Sequence, residues 1–159
     1  MQKINWILLL ACVVGVLLTG FISGVGTAAG MNGWYETLRK PSFNPPDYLF
    51  GPVWTLLYIL MGVALYLILQ SPQSNYRTFA IGIFSFQLFL NFCWSFLFFY
   101  FHRPDIALIE IILLWLTILI MIFQFYNISP IASFLQIPYL LWVSFATVLN
   151  AALWYLNLQ

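Results

Sequence analysis

Apolar residues run along this chain in five long blocks separated by short polar breaks, at about 4–28, 50–70, 78–101, 106–126 and 132–157. Each block is close to the ~20 residues that a helix rising about 1.5 Å per residue needs to cross roughly 30 Å of hydrocarbon. The first three contain no Asp, Glu, Lys or Arg, and the fourth contains only Glu110. Nothing from Ile111 onward is charged, so the break between the last two blocks is read from the turn-forming run Asn127-Ile128-Ser129-Pro130. The pattern predicts an all-α integral membrane protein, a bundle of five transmembrane helices forming a single domain over 1–159.

Composition agrees with the pattern. Hydrophobic residues make up 64% of the chain and charged residues 6%, where a soluble domain carries about 25% charged. Lys3, the first apolar run and Gly26-Thr27-Ala28-Ala29 also admit a reading as a cleaved secretory signal, but the run is nearer a full span than a short signal core. The expected location is therefore multi-pass in a membrane. Lys3 and Arg77 on one side, against Arg39, Lys40 and Arg103 on the other, leave the orientation open. A net charge of +1 with no basic run excludes nucleic acid as a partner.

Candidate chemistry is sparse. Cys12 and Cys93 are isolated and mid-span, which suits small apolar filler. His102 stands in a short turn without a second ligand at metal-binding spacing, so neither a metal nor a cofactor is expected. There is no HExxH, GxSxG or P-loop. Glu110, about one turn inside the fourth helix, is expected to snorkel toward the interface near the helix N-terminus.

The first connection, 29–49, is the long one, and it holds Trp34, Tyr35, Glu36, Arg39, Lys40, Pro41, Pro45, Pro46 and Asp47. A connection of this length suggests a lid or binding element; interfacial anchoring by Trp34 and Tyr35 is the alternative. Gly20 and Gly24 in the first helix have GxxxG spacing, which predicts close helix packing inside the monomer.

Gln87, Asn91 and Ser95 recur every four residues on the third helix, with Trp94 and Phe98 beside them. The fifth helix aligns Trp142, Ala146 and Asn150, with Tyr139 and Leu149 nearby, and the second offers Trp54, Tyr58 and Met61. With alternating spans and a 1.5 Å rise, these groups fall within roughly 5 to 22 Å of the surface that carries the first loop. A cavity beneath that loop is one reading; interhelical hydrogen bonds and core filling are the other.

The motifs WYETLRKPSFNPP at 34–46, FGPVWTLLYILMG at 50–62, NFCWSFLFF at 91–99 and PYLLWVSFATVLN at 138–150 resemble the TspO/MBR family over the whole chain. That family comprises bacterial tryptophan-rich sensory proteins and the mitochondrial translocator protein, once called the peripheral-type benzodiazepine receptor. The resemblance implies a five-helix bundle in a bacterial cell membrane that binds porphyrins and other flat aromatic ligands under its first loop, commonly as a homodimer among membrane lipid. By motif position it implies a ligand pocket of Tyr35, Pro45, Trp54, Tyr58, Asn91, Trp94, Trp142 and Ala146. Tyr155 is followed by Leu-Asn-Leu-Gln rather than by a basic residue, which argues against the cholesterol motif of the animal proteins.

Two functions are expected from these readings. One is binding, transport or sensing of a porphyrin stacked by Trp54 and Trp142, with its carboxylates directed to Arg39, Lys40 and Arg103. The other is light- and oxygen-dependent porphyrin breakdown, in which Trp54 or Trp142 would be the catalytic group. Metal-free porphyrin is expected to bind at least as well as haem, since only Met61 and Tyr58 stand near as axial ligands.

Overall fold

The computed structural model describes residues 4–31 and 33–158. Its helices are α1 (Trp6–Met31), α2 (Trp34–Thr37), α3 (Phe50–Gln70), α4 (Asn75–Ser95), α5 (Pro104–Tyr126), α6 (Pro130–Phe134) and α7 (Ile137–Leu156). A 3₁₀ turn, Asp47–Leu49, leads into α3, and a π-helical turn, Phe96–Tyr100, extends α4. Five runs are long and apolar enough to cross a membrane: Trp6–Met31, Asp47–Gln70, Asn75–Tyr100, Pro104–Tyr126 and Pro130–Leu156. The five-helix membrane bundle expected from the apolar blocks is the fold observed.

The polar breaks act through local chemistry. Ser74 Oγ accepts a hydrogen bond from Arg77 N (3.1 Å), so α4 starts earlier than its apolar block. Ser129 Oγ accepts from Ala132 N (3.4 Å), with Pro130 at the first position of α6. The last span is broken at Leu135-Gln136 instead of running unbroken over 132–157. Pro138 lacks the N–H that would bond the Phe134 carbonyl, and its ring crowds that carbonyl, so the helix starts again at Ile137.

α1 packs on α3 along one side and on α4 and its π turn along the other, while α5 lies between α4 and α7. α3 and α7 meet through rings, Trp54 on Tyr139 (centroids 6.2 Å apart) and Phe50 on Trp142 (6.0 Å). The half of the bundle remote from the first loop is a packed core of Met61, Ala64, Ile68, Ile118, Met121 and Phe125, all with no exposure. A smaller cluster, which includes Tyr35, Phe98, Phe99 and Leu153, seats the first loop on the other end.

The GxxxG expectation needs correction. Gly20 lies against the Tyr58 ring, whereas Gly24 has nothing within 4 Å of a Cβ position. Toward the π turn the tight contacts of α1 are made by a different pair, Gly26 against the Phe96 ring and Gly30 against the Phe99 carbonyl. Ser23 Oγ donates to Ser95 Oγ (2.9 Å) on the same side. Glu110 also departs from expectation: both carboxylate oxygens are buried and have no hydrogen-bond partner among the described residues. It faces the interior of the bundle, so neither oxygen reaches the surface from which snorkelling would start.

Candidate functional site

α1 and α3 are pressed together in their lower part, where a Cβ on Gly62 would lie 2.6 Å from Val13 Cα. Toward the first loop they part. There Gly24, Val25 and Ala28 of α1 and Gly51 and Thr55 of α3 are exposed and also line a cavity of about 880 Å³. The cavity occupies the upper half of the bundle and reaches its side between these two helices.

Seven of the eight residues implied as a ligand pocket lie on this wall: Tyr35, Trp54, Tyr58, Asn91, Trp94, Trp142 and Ala146. Pro45 does not; its carbonyl accepts from Asn44 Nδ2 (3.1 Å) in the loop above. Ser95 and Asn150 are on the wall, while Gln87 is fully buried off it and Met61 belongs to the core.

Under the cavity floor a chain of hydrogen bonds links α3, α4 and α7. Tyr58 Oη donates to Asn91 Oδ1 (2.6 Å), Asn91 Nδ2 donates to Tyr139 Oη (3.0 Å), and Tyr139 Oη donates to Gln87 Oε1 (2.9 Å). Trp54 stacks on Tyr58, with centroids 5.5 Å apart at 28°. The chain therefore fixes both rings relative to the floor. Higher up, Trp94 Nε1 donates to Asn150 Oδ1 (3.2 Å), and Asn150 Nδ2 donates to the Pro104 carbonyl (2.8 Å). Trp142 differs, for its Nε1–H is buried with no partner among the described residues.

The first loop closes the top. Gly33 turns the chain with φ +121°, a conformation that favours glycine, and α2 follows at once. Tyr35 is only 2% exposed, rests on Phe99 (5.5 Å) and Phe98 (6.3 Å), and donates its hydroxyl to Asn44 Oδ1 (2.9 Å). Burial, with the Asp47 charge as a smaller cause, pushes the Tyr35 phenol up to about 12 against the opposing Asn44 bond. Trp34 stacks on His102 (4.5 Å, 19°), whose φ of +53° marks a tight turn after the π segment. At the far end Asn157 holds the Arg39 backbone in both directions: Arg39 N donates to Oδ1 (3.0 Å) and Nδ2 donates to the Arg39 carbonyl (3.0 Å).

The three cations expected near ligand carboxylates do not line the cavity. Arg103 is bidentate to Asp105 (2.9 and 2.7 Å), Lys40 Nζ stands 4.3 Å from the Tyr35 ring centre, and Arg39 is held through its backbone. Residue spacing also left the α1 wall unread. Leu17, Gly20, Phe21, Ser23, Gly24 and Thr27 all face the cavity. The available signal was the recurrence of small and hydroxyl residues at Gly20, Ser23, Gly24 and Thr27, which marks a groove as well as a packing seam.

A sequence model described as the TspO/MBR family matches residues 9–156. The chain is 43% identical over 153 residues to the tryptophan-rich protein TspO of Chlorobaculum tepidum, covering 95% of this chain and 97% of that protein. It is 41% identical over 153 residues to the tryptophan-rich protein TspO of Archaeoglobus fulgidus, covering 96% and 99%. With the translocator protein of Homo sapiens it shares 34% over 147 residues, 91% of this chain and 82% of that protein. Sequence likeness along nearly the whole length and five membrane-spanning helices lead to one assignment: this multi-pass integral membrane protein belongs to the TspO/MBR family.

Proposed function

We propose that the protein binds flat, hydrophobic aromatic ligands of the tetrapyrrole class in the cavity under its first loop, for transport or sensing, with lipid around it and a second copy as its partner. The observation that carries this reading is a cavity of about 880 Å³ whose wall presents Trp54, Trp94, Trp142 and Tyr58. Aromatic faces bind flat ring systems by offset stacking, and the volume lies in the range of small-molecule sites. The unpartnered Trp142 N–H supports the reading, because a buried donor costs about 1–3 kcal/mol until an acceptor meets it. The names of its relatives, translocator protein and the tryptophan-rich sensory protein of Cereibacter sphaeroides, support a membrane transport or sensory role.

The test is saturable quenching of tryptophan fluorescence by metal-free protoporphyrin in detergent. Trp54→Ala with Trp142→Ala abolishes saturation if the reading is right; a folded double variant that binds as tightly as the parent overturns it. The same samples under light separate binding from breakdown. A carrier returns porphyrin that bleaches like free porphyrin, whereas an enzyme yields a defined product dependent on Trp54 or Trp142.

A further inference from the structure

The cavity is nearly devoid of charge. Among the described residues, Asp47 is the single Asp, Glu, Lys, Arg or His on its wall. It opens the 3₁₀ turn at the loop end of α3, beside the wall residues Phe50, Gly51 and Trp54. Among the described residues no cation lies within ion-pair distance of it, the one ion pair being Arg103 with Asp105. The charge is felt on the wall itself, since it contributes to the raised phenol of Tyr35. A ligand entering beneath the first loop therefore meets one negative charge and no positive one on the wall itself; the Lys40 ammonium stands over the Tyr35 ring, off the wall.

We propose that Asp47 makes the cavity select by ligand charge, holding a flat aromatic ring system that is neutral or carries one basic group at its loop end more tightly than the same rings bearing carboxylates. This rests on the tetrapyrrole reading and adds to it the electrostatic class of the ligand. Asp47 is exposed, so water screens its field; even so, a carboxylate near it meets a like charge, whereas an ammonium there gains a partner. Asp47 also sits favourably at the α3 N-terminus, a role that affects folding but not the order of ligand affinities. A porphyrin dicarboxylate is thus driven to enter with its apolar edge downward and its carboxylates outside the mouth.

The experiment compares three ligands on the full chain in neutral detergent: mesoporphyrin, its dimethyl ester, and the monoester carrying one aliphatic amine. Partition into empty micelles is subtracted. In the parent, ester and amine bind about five- to tenfold more tightly than the diacid, the effect of a unit charge roughly 8 Å away in a half-aqueous setting. Asp47→Asn brings the three affinities together, and Asp47→Lys reverses their order. The parent also tests the idea without substitution. Raising salt from about 0.02 to about 0.5 M shortens the Debye length from roughly 20 Å to about 4 Å and narrows the ester-to-diacid ratio. Ratios that do not change with salt or in either variant, while all three ligands still saturate, overturn the role of Asp47 and leave the tetrapyrrole reading intact. If none of the three saturates, that reading falls and takes this inference with it.

Discussion

Asn157 closes the first loop by pairing its side-chain amide with the main chain of Arg39, 118 residues earlier, through two bonds of 3.0 Å. A third bond, from Nδ2 to the Leu153 carbonyl at 2.8 Å, keeps the amide aligned with α7. The loop is thereby fastened to the end of the last helix, next to the cavity mouth.

Replacing that amide should loosen the loop without touching the wall. Two hydrogen bonds at about 1 kcal/mol each correspond to roughly a 30-fold change in an opening equilibrium. Asn157→Ala should therefore speed ligand release by one order of magnitude or more in stopped-flow fluorescence. It should also expose the 38–44 segment to limited proteolysis, with helix content unchanged. Unaltered release would mean that ligand leaves by the side opening between α1 and α3.

The hydrogen-bond chain under the floor has a single consistent direction, since each hydroxyl has one proton. Asn91→Asp replaces the donor facing Tyr139 with an acceptor, while Tyr139 Oη already donates to Gln87. One acceptor is then left unmatched and an ionised carboxylate is buried, at a cost of at least about 1–3 kcal/mol. The variant should melt several degrees below the parent in a detergent thermal-shift assay, and Asn91→Asp with Gln87→Leu should recover part of the loss. Equal stability of parent and Asn91→Asp would contradict the chain as described.

Glycines in α1 divide into packed and open positions. A Cβ at Gly30 collides with the Phe99 backbone, which cannot move aside as a side-chain tip can. Gly30→Ala should cost about 1–3 kcal/mol through overpacking and lift the first loop from its seat. Gly24→Ala meets no atom within 4 Å and should fold like the parent. Comparable melting temperatures for the two variants would show that the α1 seam is not held where the structure places it.

Tyr35 links pH to closure. Its phenol is raised to about 12, against about 10 when unfolded. From pH 10 upward the unfolded chain loses this proton while the folded chain keeps it, so the unfolded state binds fewer protons and stability falls with rising pH through this window. The spectrophotometric titration difference between the parent and Tyr35→Phe should show one phenol ionising near pH 12. A difference curve centred near 10 would mean that Tyr35 is not buried under the loop.

Spacing alone picked out Trp54 and Tyr58, Asn91 and Trp94, and Trp142 and Ala146, because helical periodicity is a local property that three separate spans report in the same way. It set their rough depth in the membrane but not which members of each stripe reach the cavity. Gln87 continues the Asn91 stripe yet lies off the wall, since Tyr139 of another helix claims its carbonyl. Pro45 and the three loop cations depend on how an irregular segment folds back, and no periodicity governs that. Glu110 was read from its distance to the helix start, which says nothing of the side it faces. The break before Ile137 was in principle legible from Pro138; an unbroken apolar run concealed it.

The π turn at Phe96–Tyr100 also determines what its own letters mean. Phe101 N bonds the Phe96 carbonyl (2.8 Å) and Arg103 N bonds the Leu97 carbonyl (3.0 Å), so the winding is looser than in the rest of α4. An additional residue in a turn swings everything beyond it by about 100° around the axis. Here the looser winding accompanies two consecutive phenylalanines, Phe98 and Phe99, both turned inward beneath Tyr35 and both buried. Rewound as an ordinary α-helix, the segment FLFFY would present one of them to lipid. Deleting a single residue there would leave hydropathy, length class and span count almost untouched while removing half the bed on which the loop rests. The seat of this closure is encoded in phase, a quantity that composition does not register.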